Sequence, residues 1–273
     1  MSASSAEIAV ISGRGKTGRA VVSALAEVGV AARPLGRAER PELGTALTGC
    51  RAVYLMAPNM APDEPALVRE VLAAARSCGV ARVVYHSVAA PYAPLMPHHV
   101  NKAVGEDLVR RSGVDWTILQ PCAYVQNVLP GLQGENPGID VAYNLDAPFG
   151  LVDVVDVAQA AATVLTHAEH IGATYELGGP DLVGMRDVAA IAQEVLSRPV
   201  PAQRTDLRDW ARGPGSGLDP REREWLLAMF DYYDQYGLPS RPRALAALLG
   251  RSPHDVRQVL TRELGGGAGH RGE

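Results

Sequence analysis

Residues 7 to 18, Glu7-Ile-Ala-Val-Ile-Ser-Gly-Arg-Gly-Lys-Thr-Gly18, constrain the fold more than any other stretch. The apolar run Ile8 to Ile11 is rich in β-branched residues and predicts a buried parallel strand. Gly13, Gly15 and Gly18 follow in a turn, and Ala20, Val21, Ala24, Leu25 and Val28 then recur at helical spacing. Strand, glycine turn and helix in this order predict a dinucleotide site. The glycines let the backbone approach a pyrophosphate, and the helix start offers free N–H groups and the positive end of its dipole. Ser12, Gly13, Arg14, Gly15, Lys16, Thr17 and Gly18 are therefore candidate cofactor contacts. Gly15-Lys16-Thr17 also looks like the end of a P-loop, but Val10 stands where that motif needs a glycine, so an ATPase is a poor match.

The second strand, Val30 to Leu35, runs into Gly36-Arg37 with no acidic residue at its tip to take a ribose 2′-hydroxyl. A guanidinium there suits a 2′-phosphate, so NADP(H) is favoured over NAD(H), with Arg37 as the main candidate and Arg33 as the next. The interval from Arg37 to Ala52 is about half of the roughly 30 residues that a β-α-β crossover needs. The usual third strand is therefore expected to be missing, which leaves the second strand at a sheet edge.

Further strands are expected at Ala52–Met56, Arg82–Ser87, Asp115–Leu119, Phe149–Val152 and Thr174–Leu177. Ala57-Pro58-Asn59, Ser87 and Pro121 fall at carboxyl ends of strands, which face the ligand crevice in such sheets. Helices are expected over Asp63–Ser77, His98–Arg111, with Val100, Val104, Leu108 and Arg111 marking one side, Tyr124–Leu129, Asp153–Thr166 and Asp187–Leu196. Val88 to Pro97 reads as a flexible substrate-side loop. The last quarter holds consecutive helices, Asp219–Gln235, Arg243–Leu249 and Asp255–Leu264, carrying Trp225, Met229, Phe230, Tyr232, Tyr233 and Tyr236. These aromatics fill the core of a helical cap or roof an aromatic substrate.

The organisation expected is an α/β protein, a Rossmann doubly wound parallel sheet with a small, mainly helical C-terminal lobe. Residues 1–168 form the NADP(H)-binding core with a substrate-side insertion at 131–148, residues 169–264 the lobe, interleaved with the core, and residues 265–273 a disordered tail. Hydrophobic residues are 47% and charged residues 21%, with a net charge of −4 and both signs intermixed, which fits an ordinary globular chain and no nucleic-acid or membrane partner. Cys50, Cys78 and Cys122 are odd in number and far apart, so neither a disulfide framework nor a metal spacing is expected. Met1 to Ala6 lacks the regions of a signal peptide and no apolar run approaches a membrane span, so the expected location is the cytoplasm.

Taken together, several segments resemble the NmrA-like family of atypical short-chain dehydrogenases/reductases. They are Ile8 to Gly18, Arg33 to Arg37, Gly79 to Ser87, His98 through Lys102 and Glu106 to Gly113-Val-Asp-Trp-Thr-Ile-Leu-Gln-Pro121 and Asn127, Tyr175 to Pro180, and Tyr233 to Leu238 with Leu248 to Pro253. The resemblance implies a Rossmann core, bound NADP(H) and a small C-terminal lobe. The family includes quinone and dye reductases and also redox-sensing regulators with little turnover. The chain departs from the family pattern at Ser12, where the first glycine of the turn would stand, and at Gln120, where an arginine would precede Pro121. Gly13 takes a position often held by alanine, so Gly13→Ala is expected to be milder than Gly15→Val, while Gly18→Val is expected to cost stability.

Short-chain dehydrogenases pair a proton-donating tyrosine with a lysine one helical turn later, both on one face. Here Lys102 is present and His98 stands in the tyrosine's place. Lys102 is read as a ribose ligand, and Lys102, His98 and Ser87 as the catalytic candidates. Quinone-type acceptors take hydride and then a proton from water, which removes the need for the tyrosine. Tyr124 is read as a contact of both cofactor and substrate, and Tyr92, Asn127, Trp225 and Met229 as substrate contacts. Asp153 and Asp156 read as helix-start caps, and His86, His98 and His99 lack the spacing of a metal site. Two functions remain open: an NADPH-dependent reductase of a quinone, enone or aromatic or polyketide-like carbonyl compound, and a non-catalytic NADP(H)-sensing regulator. The partner expected is a small, aromatic molecule, and a homodimer is left open.

Overall fold

The computed structural model describes residues 7–265. The tail expected to be disordered lies, from residue 266 on, outside the described residues. The strands are β1 Ile8–Ile11, β2 Ala32–Leu35, β3 Ala52–Leu55, β4 Arg82–His86, β5 Asp115–Pro121, β6 Ile139–Val141, β7 Thr174–Leu177 and β8 Ala202–Arg204. The helices of the first half are α1 Lys16–Glu27, α2 Leu43–Leu47, α3 Glu64–Ser77, α4 Pro97–Arg110 and α5 Leu129–Leu132. Those of the second half are α6 Val154–Thr166, α7 Met185–Leu196, α8 Leu207–Arg212, α9 Pro220–Tyr236, α10 Arg243–Leu249 and α11 Val256–Gly265.

The main sheet runs β2-β1-β3-β4-β5-β7, all parallel. No strand lies between β2 and β3, where a 3-10 turn and the short α2 stand instead, so β2 is the edge, as the short interval requires. Pro34 is tolerated in β2 because an edge strand has one side with no ladder to donate to. The central strands β1 and β3 are buried at every position, the mark of a sheet covered on both faces. One face packs α2, α3 and α4 against Val53, Leu55, Val83 and Tyr85. The other packs α1, α6 and the helices of the second half against Val10, Tyr54 and Val84.

Three features were not expected. β6 and β8 form a separate two-stranded parallel sheet that ties residues 139–141 to residues 202–204. Strands this short carry no usable period. Phe149 to Val152 makes isolated bridges to Val183, Leu238 and Tyr124 rather than a ladder. On α4 the apolar side expected from Val100 and Val104 is the exposed one, at 36% and 43%. The buried side carries His98, His99, Lys102 and Glu106 with Ala103, Gly105 and Val109. Polar groups can go inside there because their partners, described below, are inside as well.

β7 falls in the segment expected to be the C-terminal lobe yet forms the outer strand of the main sheet. Tyr143 and Phe149 of the first 168 residues meet Phe230 and Tyr233 of α9, with ring centroids 5.1–6.0 Å apart. Of the aromatics singled out in the sequence, Tyr233 is buried in the core and Phe230 and Tyr232 pack against it, while Tyr236 is exposed. Among the described residues no helix is long and apolar enough to cross a membrane.

Candidate functional site

The glycine turn sits between β1 and α1, against the ends of β2 and β3. Ser12 has a left-handed φ of 57°, the conformation a glycine adopts at no cost, and its hydroxyl donates to Met56 O at 2.8 Å. That bond to the end of β3 accounts for a serine at the turn's first position. A Cβ on Gly13 would lie 2.6 Å from Val10 O and 2.7 Å from Pro34 Cα, both backbone atoms. Alanine is therefore not a mild change at Gly13, contrary to the expectation from the sequence. Gly18 is packed as tightly, with a Cβ 2.6 Å from Gly13 Cα. Gly15 is different: a Cβ there meets only Ser12 O at 3.4 Å, ordinary contact. The exposed side of the turn is thus open at Gly15, which is also the N-cap of α1. No side chain caps α1 and its first turn has no acidic residue, so its first N–H groups point outward unpaired by side chains. An uncapped helix start beside an open glycine is a cradle that fits a pyrophosphate.

The tip of β2 carries the arginines. Arg33 Nε donates to Glu7 Oε2 at 2.6 Å, and its Nη1 donates to Ala46 O at 2.7 Å and Thr48 O at 3.0 Å. These bonds turn Arg33 towards the amino end of the sheet and cover the β2 edge, away from the crevice, which removes the second candidate for a 2′-phosphate. Arg37 is exposed just beyond the strand and has no side-chain partner among the described residues. Arg14 lies across from it, joined to Glu39.

Polar side chains of β4 and β5 meet α3 and α4 at the carboxyl end of the sheet. Lys102 Nζ lies 2.8 Å from Glu64 Oε1 and donates to His86 O at 3.1 Å. The Tyr85 hydroxyl donates to the same Glu64 oxygen at 2.6 Å. A Cβ on Gly105 would fall on the Tyr85 hydroxyl, so the glycine inside α4 is what lets that ring reach Glu64. The other oxygen, Glu64 Oε2, is buried without a partner. Ser87 Oγ and Gln120 Nε2 each donate to Glu106 Oε1 at 2.6 Å, and Arg110 pairs with Glu106 Oε2 at 2.9 Å. Lys102 and Ser87 thus belong to two adjoining buried networks with no bond between them. Tyr92, read as a substrate contact, is 65% exposed, with its hydroxyl 3.3 Å from both Glu106 and Arg110 on the flank of α4.

A second chain of groups lies under the glycine turn. His86 Nδ1 bonds the Tyr54 hydroxyl, and His86 Nε2 lies 3.3 Å from the Tyr124 hydroxyl. Burial, and then Lys102, push the His86 imidazole down to about 3, so the ring is neutral and has one N–H to share between two phenols. Burial raises the Tyr124 phenol well above its ordinary value, against a hydrogen bond with Thr17. Tyr124 therefore joins the start of α1 to the end of β4.

His98 is also held down to about 3 by burial first and Lys102 next. A ring that stays neutral does not suit the proton-donor role expected from its place before Lys102. It packs instead beneath α9, 6.4 Å from the Trp225 ring. Arg221 lies over the Trp225 ring at 5.0 Å and reaches Met60 O at 3.4 Å, just past the end of β3. Trp225 and Met229 are half-buried, Met229 against the core, and Asn127, Pro58 and Asn59 are exposed. Ala57 and Pro121 are buried at the ends of β3 and β5.

The sequence pattern gives no site role to Glu64, Tyr85, Glu106, His86 or Tyr54, which the fold draws into these networks. Glu64 reads in sequence as an ordinary acidic residue in a helix's first turn. The available signal was Gly105, because a glycine inside a helix costs about 1 kcal/mol and marks a close approach.

Among the described residues, Asp153, Asp156 and His254 come together as three groups that could bind a metal. Their oxygens are already taken. Asp153 accepts from Gln126, Val155 N and both Nη atoms of Arg262, and Asp156 from Arg251 and His254 N. The cluster fastens α11 and the chain before it to the start of α6.

Residues 36–168 match the NAD(P)H-binding family. Over 167 residues, 59% of this chain, the sequence is 35% identical to (4-alkanoyl-5-oxo-2,5-dihydrofuran-3-yl)methyl phosphate reductase of Streptomyces griseus, of which 57% is covered. The chain thus spans a little over half the length of that relative. Quinone oxidoreductase 2 of Escherichia coli is 26% identical over 196 residues, 70% of this chain and 68% of that one. Its crystal structure with NADPH superimposes with a TM-score of 0.81 at 20% identity, covering 94% of this chain and 99% of that one. The structure of NmrA, a negative transcriptional regulator in complex with NAD, superimposes with a TM-score of 0.72 at 16% identity, covering 96% and 97%.

Proposed function

We propose that the chain is an NADPH-dependent reductase of a quinone, enone or other aromatic or polyketide-like carbonyl compound, within the NmrA-like group of NAD(P)H-binding Rossmann proteins that its fold resembles. The observation that carries this reading is a glycine turn left open at Gly15 in a crevice edged by an aromatic helix, α9. Bound nicotinamide supplies a hydride. The chain's own residues hold and orient. The start of α1 receives the pyrophosphate, and Arg37 with Arg14 receives a 2′-phosphate. Thr17, Pro121 and Tyr124 line the path between the turn and the β4 tip, while Trp225, Met229 and Asn127 stand on the substrate side. His98 is neutral, Ser87 donates to Glu106 and Lys102 is engaged by Glu64 and His86 O, so none of the catalytic candidates is a ready acid. An acceptor that takes its proton from water suits such a crevice. The reading makes the partner a small molecule and the location the cytoplasm. That the Streptomyces relative is a reductase supports it.

The same lack of a ready acid supports a second reading, a protein that binds NADP(H) and signals its redox state without turnover. A purified sample with NADPH and a panel of quinones separates the two. Steady loss of the reduced-nicotinamide absorbance supports the reductase, and binding without loss supports the sensor. The control is Gly15→Val, which has room for its Cβ in the protein but not beside a phosphate. It keeps the wild-type melting temperature and loses both turnover and stabilisation by NADPH. Wild-type protein that NADPH does not stabilise overturns both readings.

A further inference from the structure

The loop after β2 contains an anion seat that is filled from within. Glu39 Oε2 accepts the Gly36 N–H at 2.7 Å and Arg14 Nη1 at 3.0 Å, and Oε1 accepts Arg14 Nη2. The Arg14 guanidinium lies over the Gly36 backbone, where a Cβ would come 2.9 Å from Nη1. A backbone N–H and a forked guanidinium converging on paired oxygens is the donor set that also suits a phosphate. It stands at the tip of β2, where the adenosine ribose of a dinucleotide rests in this fold. In the sequence no acid stands at that tip, because Glu39 is displaced from it along the chain. The turn at Gly36 folds the carboxylate back.

We infer that Glu39 is a selectivity gate: its carboxylate occupies the seat that a ribose 2′-phosphate would take, so NADPH must displace it and NADH need not. The inference rests on the dinucleotide reading above and adds to it the residue that opposes the arginines. Arg37 and Arg14 favour NADPH, and Glu39 narrows that preference. The gate can open because the pair is solvent-facing, with side chains 57% and 27% exposed, and such pairs are weakly held. Arg14 and the Gly36 N–H both favour the charged carboxylate, so Glu39 presents a negative charge where an incoming phosphate would sit. Eviction frees Arg14, which then stands with Arg37 on the incoming group.

The test measures binding by calorimetry, without turnover, for NADPH, NADH and adenosine 2′,5′-bisphosphate. Glu39→Gln keeps the size and removes the charge. It is expected to tighten NADPH and the bisphosphate by about fivefold or more and to leave NADH within about twofold. Adding Arg14→Ala to Glu39→Gln is expected to abolish that gain, because the seat then lacks its guanidinium. Weaker NADPH binding in Glu39→Gln would make Glu39 a support for Arg14 and overturn the gate, as would equal changes for both cofactors or none. Wild-type protein that binds neither dinucleotide would instead overturn the dinucleotide reading itself. A melting temperature equal to wild type confirms that Glu39→Gln is folded.

Discussion

Charged groups are buried in two regions, and the two are built differently. At the start of α6, the oxygens of Asp153 and Asp156 accept from Arg251, Arg262, His254, Gln126 and backbone N–H groups. At the carboxyl end of β4, Lys102 and Tyr85 share one oxygen of Glu64 and leave the other without a partner. Both carboxylates are equally inaccessible, Asp153 at 0% and Glu64 at 1%. Completeness, not burial, separates them. A cluster with its oxygens engaged is a tie between elements, whereas one that retains an unmatched acceptor beside the crevice has capacity left for something else.

The largest effect is expected from breaking the complete cluster. Asp153→Ala removes the buried partner of Gln126 and His254, leaves Arg262 with Glu263 alone and uncaps α6, and should cost about 3–5 kcal/mol in denaturant unfolding. Hydrogen exchange should rise over α11. A loss below about 1 kcal/mol would mean that the tie is not what holds α11. Lys102→Met should cost less, about 2–4 kcal/mol, by leaving the buried Glu64 carboxyl with the Tyr85 hydroxyl but without its cation. Combining it with Glu64→Gln should recover half or more of that loss. No recovery would place the role of Lys102 outside this pair.

Acid should distinguish the regions by pH window. His86 and His98 are pushed down to about 3 and His99 to about 4, by burial first in each case. The folded chain keeps these rings neutral, while the unfolded chain protonates them below about 6.5. Their contribution is whole above that value and is lost progressively as pH falls towards 4 and 3. From pH 7 to 6 each ring should remove about 0.7 kcal/mol, and His98→Gln should remove one ring's share of the slope. Burial alone would raise the Asp153 carboxyl, but Arg262, Gln126 and Val155 N–H hold it below its ordinary value. Its contribution is whole above about 4 and is lost only as pH falls further. Hydrogen exchange across this range should therefore loosen β4 and α4 before α11. The reverse order would refute the division.

The sheet was legible because its signals are local. Ile8 to Ile11 announce a strand, Gly13, Gly15 and Gly18 a turn, and the short run from Arg37 to Ala52 has no room for another crossover. Chain length and period settle these whatever surrounds them. The side of α4 that faces inward was not legible. Val100 and Val104 look like a core stripe, yet the helix buries His98, Lys102 and Glu106 because Glu64, Ser87 and Gln120 come from elsewhere in the chain to meet them.

The sequence by itself determined the strand order's raw material, the glycine turn and the arginine at the tip of β2. Only the tertiary structure decided which glycines are packed and which is open, that Arg33 turns away, and that Glu39 returns to the tip it seemed to have missed. A sequence pattern records what each residue prefers among its neighbours in the chain. Whether a buried charge is tolerable depends on partners brought in by folding, and that is set by three-dimensional proximity alone.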